Sequence, residues 1–136
     1  MPPPSDLLPH LRAARDLIDS RYADDLDVAT IAQRAGVSKY HFIRSFSGEY
    51  GQTPAQYLAH RRIERAQDLL RATNLTVTEV CMLVGYSSLG SFSAKFRSLV
   101  GETPLAFQQR YGGKGVPHIP GCYIFMRGLQ ETAISE

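Results

Sequence analysis

Two segments of this chain repeat the same pattern of residues about 50 positions apart, and this repeat constrains the fold more than any other feature. The first copy starts at Val28 and ends at Pro54, and the second starts at Val77 and ends at Pro104. The matched positions are Val28 with Val77, Ile31 with Val80, Gly36 with Gly85, Ser38 with Ser87, Phe42 with Phe92, Phe46 with Phe96, Gly51 with Gly101, Thr53 with Thr103, and Pro54 with Pro104. Because two copies are too few for a solenoid, the pattern predicts a duplicated supersecondary unit.

Each copy has the residue pattern of a short helix, a tight turn and a longer helix. In the first copy, Asp27 is a predicted N-cap and Gly36 is a predicted left-handed turn residue. Ser38 is predicted to cap the second helix, and Phe42 and Phe46 share its inward face because they are four residues apart. This order of elements predicts a helix-turn-helix.

The second copy repeats these signals with one inserted residue. Thr76 and Glu79 form a predicted capping box, Gly85 ends the first helix, and Ser87 is predicted to cap the next one. A second helix-turn-helix is therefore expected.

The segment between the copies predicts a long linker helix. Thr53 is a predicted N-cap, Pro54 occupies the first helical position, and Gln56 completes a capping box. We therefore expect an all-α fold of two helix-turn-helix subdomains joined by a long linker helix. The expected organisation is a bipartite domain over 1–111, with an opening helix at about 5–22, the first unit at about 7–52, the linker helix at about 54–72 and the second unit at about 76–111, followed by an extension of unknown role at 112–136.

Composition excludes several classes of protein. The 136 residues are 43% hydrophobic and 21% charged, which is typical of a soluble globular domain. No stretch reaches the ~18 apolar residues of a membrane span, so we expect no membrane partner. Cys81 and Cys122 lie outside any Cys or His cluster, which predicts no metal and a cytoplasmic location. Most aromatic residues fall at core spacing, so we expect no cofactor.

Charge is unevenly distributed along the chain. Residues 1–33 carry three Arg against six Asp, whereas residues 34–71 carry seven Arg and Lys against three acidic residues. A basic block is most often a solvated face, so it carries little weight without a second signal.

Further motifs carry a family resemblance. Arg62-Ile-Glu-Arg-Ala-Gln-Asp-Leu-Leu70 lies between the two copies, and Val84-Gly-Tyr-Ser-Ser precedes Phe92-x-x-x-Phe96 and Gly101-x-Thr-Pro104. With the duplicated helix-turn-helix, they make residues 7–111 resemble the DNA-binding domain of AraC/XylS transcription regulators. The resemblance implies a sequence-specific transcription regulator associated with the bacterial nucleoid, with two recognition helices in successive major grooves of double-stranded DNA.

The length of the linker helix agrees with this geometry. Residues 54–72 would form a helix about 27 Å long at 1.5 Å per residue. Adding the helix widths at both ends brings the two units to about 34 Å apart, which is one turn of DNA. We therefore expect one chain to bind as a monomer.

The candidate DNA-binding residues of the first unit lie opposite its phenylalanines. Arg44 is the strongest candidate for base reading, because its planar fork can bond guanine N7 and O6 together. A bound phosphate would offset the unfavourable position of Lys39 at the positive end of the helix dipole. The alternative is an ordinary surface Arg and Tyr beside a partly packed Ile. The candidates are Ser38, Lys39, Tyr40, His41, Ile43 and Arg44.

The outward residues of the second unit are smaller. Family members commonly have polar base-reading residues at the positions of Leu89 and Gly90 and an Arg at the position of Ala94, so this chain departs from the family there. We expect the small residues to permit close approach while the cations and hydroxyls hold phosphates. The candidates are Ser87, Ser88, Leu89, Gly90, Ser93, Ala94, Lys95 and Arg97.

Two other functions compete with DNA binding. A helical protein-interaction module, for instance one that docks on RNA polymerase, would suit the outward Leu89 but would leave Arg44 and the groove-matched spacing unexplained. An enzyme is not expected, because the sequence has no paired-carboxylate, catalytic-triad, metal or phosphate-loop pattern. Family members commonly carry a separate effector-binding domain, and the sequence leaves open whether this chain acts unliganded or is a fragment. It also leaves open the DNA site and whether the effect is activation or repression.

Overall fold

The computed structural model describes residues 7–111, and all the regular structure in that range is helical. The helices are α1 (Leu8–Ser20), α2 (Val28–Arg34), α3 (Lys39–Tyr50), α4 (Pro54–Ala72), α5 (Val77–Leu83), α6 (Leu89–Val100) and α7 (Pro104–Tyr111). The α2–α3 and α5–α6 pairs form the two helix-turn-helix units, and α4 is the long helix between them in sequence. The predicted all-α fold is thus confirmed.

Side-chain caps start α2, α4 and α5 at the predicted residues. The Asp27 carboxylate accepts a backbone N–H from the first turn of α2 at 3.0 Å. Thr76 Oγ1 accepts from the Glu79 N–H at 3.1 Å, and Glu79 Oε1 accepts from the Thr76 N–H at 3.0 Å. Thr53 and Gln56 form the same reciprocal pair at the start of α4, at 2.9 and 3.1 Å. Both capping boxes satisfy N–H groups that a helix start leaves unpaired.

The start of α6 differs from the prediction. Ser88, and not Ser87, is the N-cap: its hydroxyl oxygen accepts from the Ser91 N–H at 3.3 Å. The reason is that the inserted residue of the second copy lies in the turn before the cap, so Ser88 corresponds to Ser38. From the cap onwards, α3 and α6 therefore match at a constant offset of 50 residues.

The two tight turns share one backbone geometry. Gly36 and Gly85 have φ values of 76° and 101°, a region that glycine adopts without steric cost. In both turns the following residue, Val37 or Tyr86, donates its N–H to the carbonyl five positions earlier at 3.1 Å. This 6→1 bond is the Schellman ending of a helix, and it redirects the chain into α3 and α6.

The described chain divides into two compact units between Arg61 and Arg62. The first unit buries side chains from α1, α2 and α3, and the second buries side chains from the later part of α4 and from α5, α6 and α7. The buried residues of the first are Leu7, Leu11, Ala14, Ile18, Ala32, Phe42 and Phe46. Those of the second include Ile63, Ala66, Leu70, Leu75, Val80, Cys81, Val84, Phe92, Phe96 and Phe107.

Within the first unit, polar contacts join α4 to α1. The Tyr57 hydroxyl donates to Asp19 Oδ1 at 2.8 Å, and Arg61 Nε lies 3.3 Å from the same oxygen. The Arg61 guanidinium also lies 5.8 Å from the centroid of the Tyr22 ring. These contacts attach the first half of α4 to α1 and to Tyr22 within the first unit.

Two sequence predictions reach beyond the described residues. The predicted opening helix covers about 5–22, whereas α1 is Leu8–Ser20, so Tyr22 lies after the end of the helix. The predicted extension at 112–136 lies outside the described range, and its role stays a prediction. None of the helices described between residues 7 and 111 has the length and apolar character that crossing a membrane requires.

Candidate nucleic-acid interface

The orientation of α3 is determined by its two phenylalanines. Phe42 and Phe46 are fully buried, with ring centroids 6.0 Å apart. Phe46 also contacts the Tyr50 ring edge-on at 4.8 Å and the Tyr57 ring at 6.0 Å. Because this aromatic cluster occupies one side of α3, the opposite side is left to solvent.

The structure places all six predicted residues of the first unit away from that core. Ser38, Lys39, Tyr40 and Arg44 are exposed, while His41 and Ile43 are half-buried at the edge of the helix. The Tyr40 side chain is 69% exposed, an unusual position for so large a ring. Tyrosine, which has an apolar ring and a polar hydroxyl, is enriched at interfaces.

Arg44 and Tyr40 contact each other on this exposed face. The guanidinium carbon of Arg44 lies 4.9 Å from the centroid of the Tyr40 ring, which is a cation–π contact between residues four positions apart. Within residues 7–111, Arg44 makes no ion pair with an acidic side chain. Its charge is therefore available to an anionic partner.

The orientation of α6 follows the same logic. Phe92 and Phe96 are fully buried, with centroids 5.8 Å apart, and Phe96 meets the Phe107 ring of α7 at 5.5 Å. Tyr86, in the preceding turn, packs 5.4 Å from Phe92 and lies under the Arg62 guanidinium. Burial raises the pKa of Tyr86, while the charge of Arg62 acts in the opposite direction.

All eight predicted residues of the second unit lie outside its core. Ser93 is half-buried, and the others are exposed, with Leu89 at 45%. A Cβ added at Gly90 would meet only the Ser88 hydroxyl, at 3.8 Å, so the backbone is open to close approach there. Lys95 and Arg97 supply the positive charge of this surface, in the second half of the helix.

The offset of 50 residues makes the two surfaces directly comparable. Tyr40 corresponds to Gly90 and Arg44 to Ala94, so α3 has long side chains where α6 has almost none. Conversely, Arg97 corresponds to Ser47, so Arg97 lies about one helical turn beyond the position that matches Arg44. The outward face of α3 has side chains long enough to reach base edges in a groove. The outward face of α6 has small side chains, and its positive charge lies in the second half of the helix.

One exposed cation that precedes α3 in sequence is absent from the sequence predictions. Arg34 lies in the last turn of α2, four residues before the Ser38 cap. Arg34 is the first residue of the basic block at 34–71, but helical spacing alone did not show whether it lies on the inward or the outward face of α2. Across residues 7–111, no group of three or more His, Cys, Asp or Glu side chains is arranged to hold a metal ion.

Comparison with known proteins identifies the class. The sequence profile of the family described as "Helix-turn-helix domain" matches residues 31–110. The chain is 31% identical over 104 residues to the regulatory protein SoxS of Escherichia coli K12, covering 74% of this chain and 97% of SoxS. It is 34% identical over 85 residues to the MmsAB operon regulatory protein of Pseudomonas aeruginosa, covering 62% of this chain and 28% of that protein.

A solved structure is also similar. The DNA-binding domain of the global transcriptional factor AdpA, solved in complex with a target DNA, matches with a TM-score of 0.64 and 30% identity, covering 79% of this chain and 94% of that one. A duplicated helix-turn-helix with exposed second helices defines the DNA-binding module of a transcription regulator. The chain belongs to the AraC-type helix-turn-helix family of such regulators.

Proposed function

We propose that α3 and α6 are the two recognition helices of this regulator and that they enter successive major grooves of one double-stranded DNA site. The observation that carries the proposal is the same in both helices. Each buries a pair of phenylalanines on one side and exposes, on the other, a face that includes positive charge: Lys39 and Arg44 on α3, Lys95 and Arg97 on α6. A helix held in this way presents its outer face to the edges of the bases.

The roles of the two faces differ in this proposal. Arg44 reads a guanine through its N–H donors, while Tyr40, His41 and Ile43 contact thymine methyl groups or phosphates. On α6, Arg97 and Lys95 bind phosphates, and the hydroxyls of the serines before the helix can donate to the same oxygens. Phosphate contacts position a protein without reading sequence, so specificity comes mainly from the first unit.

The chain is proposed to bind as a monomer. The two reading helices come from one chain and differ in sequence, so their site need not be palindromic. The length of α4, 19 residues, supports the proposal because a helix of that length is about 29 Å long, close to the spacing of successive major grooves. An asymmetric site of about 20 base pairs follows.

Selection of binding sites from random duplex DNA tests the function most directly. We expect an enriched asymmetric sequence, a footprint across two adjacent major grooves, and one chain per complex by sedimentation. Affinity for the selected site should fall steeply as salt rises, because phosphate contacts release counterions. A palindromic footprint occupied by two chains, with one unit of each in contact, would contradict the monomer proposal.

A second candidate function, protein contact, has one observation in its favour. Met82 and Leu105 in the second unit are 62% and 54% exposed, and neither belongs to the outward face of α6. RNA polymerase or another regulator is the proposed partner of these exposed side chains. Met82→Ser and Leu105→Ser should leave DNA affinity unchanged while lowering affinity for that partner. Salt-insensitive binding to a protein without any DNA preference would favour this function alone.

We further propose that the chain acts without catalysis or a cofactor and that it works in the cytoplasm beside the nucleoid. The support is its family, whose members are transcription regulators. A turnover measurement on nucleotides or on DNA with the purified chain should give no product above background.

A further inference from the structure

We propose that Tyr40 is a positioning residue: its ring holds the Arg44 guanidinium in the orientation needed to read a guanine, so Tyr40 determines specificity at a base that it does not itself bind. The inference rests on the proposed function, because it assigns a role within the α3 reading face. It starts from the 4.9 Å contact between the two exposed side chains.

The guanidinium carbon of Arg44 lies over the Tyr40 ring, and the proposal takes the flat face of the guanidinium to be turned toward that ring. In that orientation all of its N–H donors point outward in its plane. A guanidinium that rests on a ring can therefore still donate to guanine O6 and N7 at once. Tyr40 can orient Arg44 without competing with the base for its donors.

Holding the side chain in place matters because a free arginine has many rotamers. An exposed Arg must lose this freedom when it enters a groove, and the loss weakens binding. Tyr40 lies one helical turn before Arg44, so its ring restricts the side chain before DNA arrives. Discrimination between bases then rises, because a guanidinium held in one plane can donate two hydrogen bonds only to a base whose acceptors lie in that plane.

The exposure of Tyr40 supports this role. A ring that is 69% exposed contributes little to the core, and the aromatic cluster of the first unit is built from Phe42, Phe46, Tyr50 and Tyr57 instead. Replacing Tyr40 should therefore leave the fold intact, which makes the proposal testable by substitution.

The experiment combines three substitutions, alone and in one double variant, with a panel of single-base changes in the selected DNA site. Tyr40→Leu removes the ring face but keeps apolar bulk, and Tyr40→Phe keeps the ring but removes the hydroxyl. We expect Tyr40→Leu to lower affinity about two- to five-fold and to reduce discrimination at the base that Arg44 reads. Tyr40→Phe should retain that discrimination. In an Arg44→Ala background, Tyr40→Leu should have no further effect at that base.

Arg15 provides a matched control. Its guanidinium lies 4.9 Å from the Tyr50 ring, the same distance as in the Arg44 pair, but the contact lies outside the α3 reading face. Arg15→Ala should leave base discrimination unchanged. A Tyr40→Leu loss of discrimination at the base read by Arg44 that persists in the Arg44→Ala background would show that Tyr40 contacts this same base directly, and it would overturn the proposal. Full retention of discrimination at that base by Tyr40→Leu would overturn it too.

A measurement without DNA separates this proposal from the proposed function. NMR relaxation of the Arg44 Nε–H group in the free protein should show restricted motion in the unaltered chain and in Tyr40→Phe, and free motion in Tyr40→Leu. Unrestricted motion in the unaltered chain would overturn the positioning role whether or not DNA binds. Failure of the unaltered chain to select any DNA sequence would instead overturn the proposed function.

Discussion

The Tyr57 hydroxyl donates a hydrogen bond of 2.8 Å to the Asp19 carboxylate, which joins α4 to α1 across 38 residues of sequence. Asp19 also forms an ion pair with Arg61, whose Nε lies 3.3 Å from the same carboxylate oxygen, so this oxygen contacts side chains from two successive turns of α4. The pKa of Tyr57 is raised to about 12 by burial, then by its hydrogen bond to Asp19 and by the charge of that carboxylate. The bond therefore links the stability of the first unit to pH.

The first prediction follows from that pKa. Below the ordinary tyrosine pKa of about 10, Tyr57 is neutral whether the chain is folded or unfolded, so its contribution is complete. Between about pH 10 and 12 the unfolded chain ionises first, and the free energy of unfolding falls as pH rises. The loss should be on the order of 1–2 kcal/mol, allowing for the partial solvent exposure of Tyr57.

Urea unfolding of the unaltered chain and of Tyr57→Phe at pH 8 and at pH 11.5 checks this expectation. At pH 8, Tyr57→Phe should be less stable by about 1 kcal/mol, the usual net value of a hydrogen bond. At pH 11.5 the difference should shrink, because only the unaltered chain has Tyr57 to ionise. Tyr40→Phe serves as a control for loss of an exposed hydroxyl. A difference that stays constant across the two pH values would refute the linkage.

The second prediction concerns the start of α6. Because the Ser88 hydroxyl caps this helix, Ser88→Ala should cost about 1 kcal/mol of stability. Ser87→Ala should change stability by less than about 0.5 kcal/mol, as expected of an exposed residue without a cap bond. Ser38→Ala, which removes the matching cap of α3, should resemble Ser88→Ala. Equal losses at Ser87 and Ser88 in urea unfolding would show that the cap is shared.

The third prediction concerns the division of labour between α3 and α6. Arg44→Ala should cost about 1–3 kcal/mol on the preferred DNA and relax the preference at one base position. Arg97→Ala should weaken binding evenly on all sequences and reduce the salt slope by about one ion. Both variants should be measured on a panel of single-base changes at two salt concentrations. The roles are reversed if Arg97→Ala loosens one position while Arg44→Ala lowers affinity evenly.

The fourth prediction concerns the C-terminal extension. Residues 112–136 follow α7 and contain the apolar run Cys122-Tyr-Ile-Phe-Met126, for which we expect an accessory role without base reading. A chain truncated after Tyr111 should therefore select the same DNA sequence as the full chain, although its solubility can change. A shifted preference after truncation would assign base contacts to the extension.

Local signals in the sequence were sufficient to predict the helices. Capping boxes at Thr53 and Thr76 and the turn glycines act over three to five residues, so their spacing is legible without a structure. The cap of α6 was placed one residue early because two serines follow the turn and either can satisfy the pattern. Only the backbone geometry of the turn decides that Ser88 reaches the first free N–H groups.

Contacts between distant residues could not be predicted in the same way. Asp and Arg are common residue types at protein surfaces, so nothing local marks Asp19 and Arg61 as partners. Their pairing depends on how α1 packs against α4. The contact between Arg44 and Tyr40 could in principle be predicted from the sequence, since residues four apart on a helix are neighbours. Spacing alone, however, does not determine whether a guanidinium rests on a ring or extends into solvent.

The constant offset between α3 and α6 also bears on how such proteins diversify. The buried phenylalanines, the serine cap and the terminal glycine occupy matching positions in both helices, and the outward residues occupy the positions between them. Exchanging an outward residue for its counterpart, such as Ala94→Arg, alters no group that folding requires. If the outward faces read DNA as proposed, duplicated copies of the gene can change their DNA preference in one helix at a time, and exchanging matched outward residues would move a half-site preference from one unit to the other.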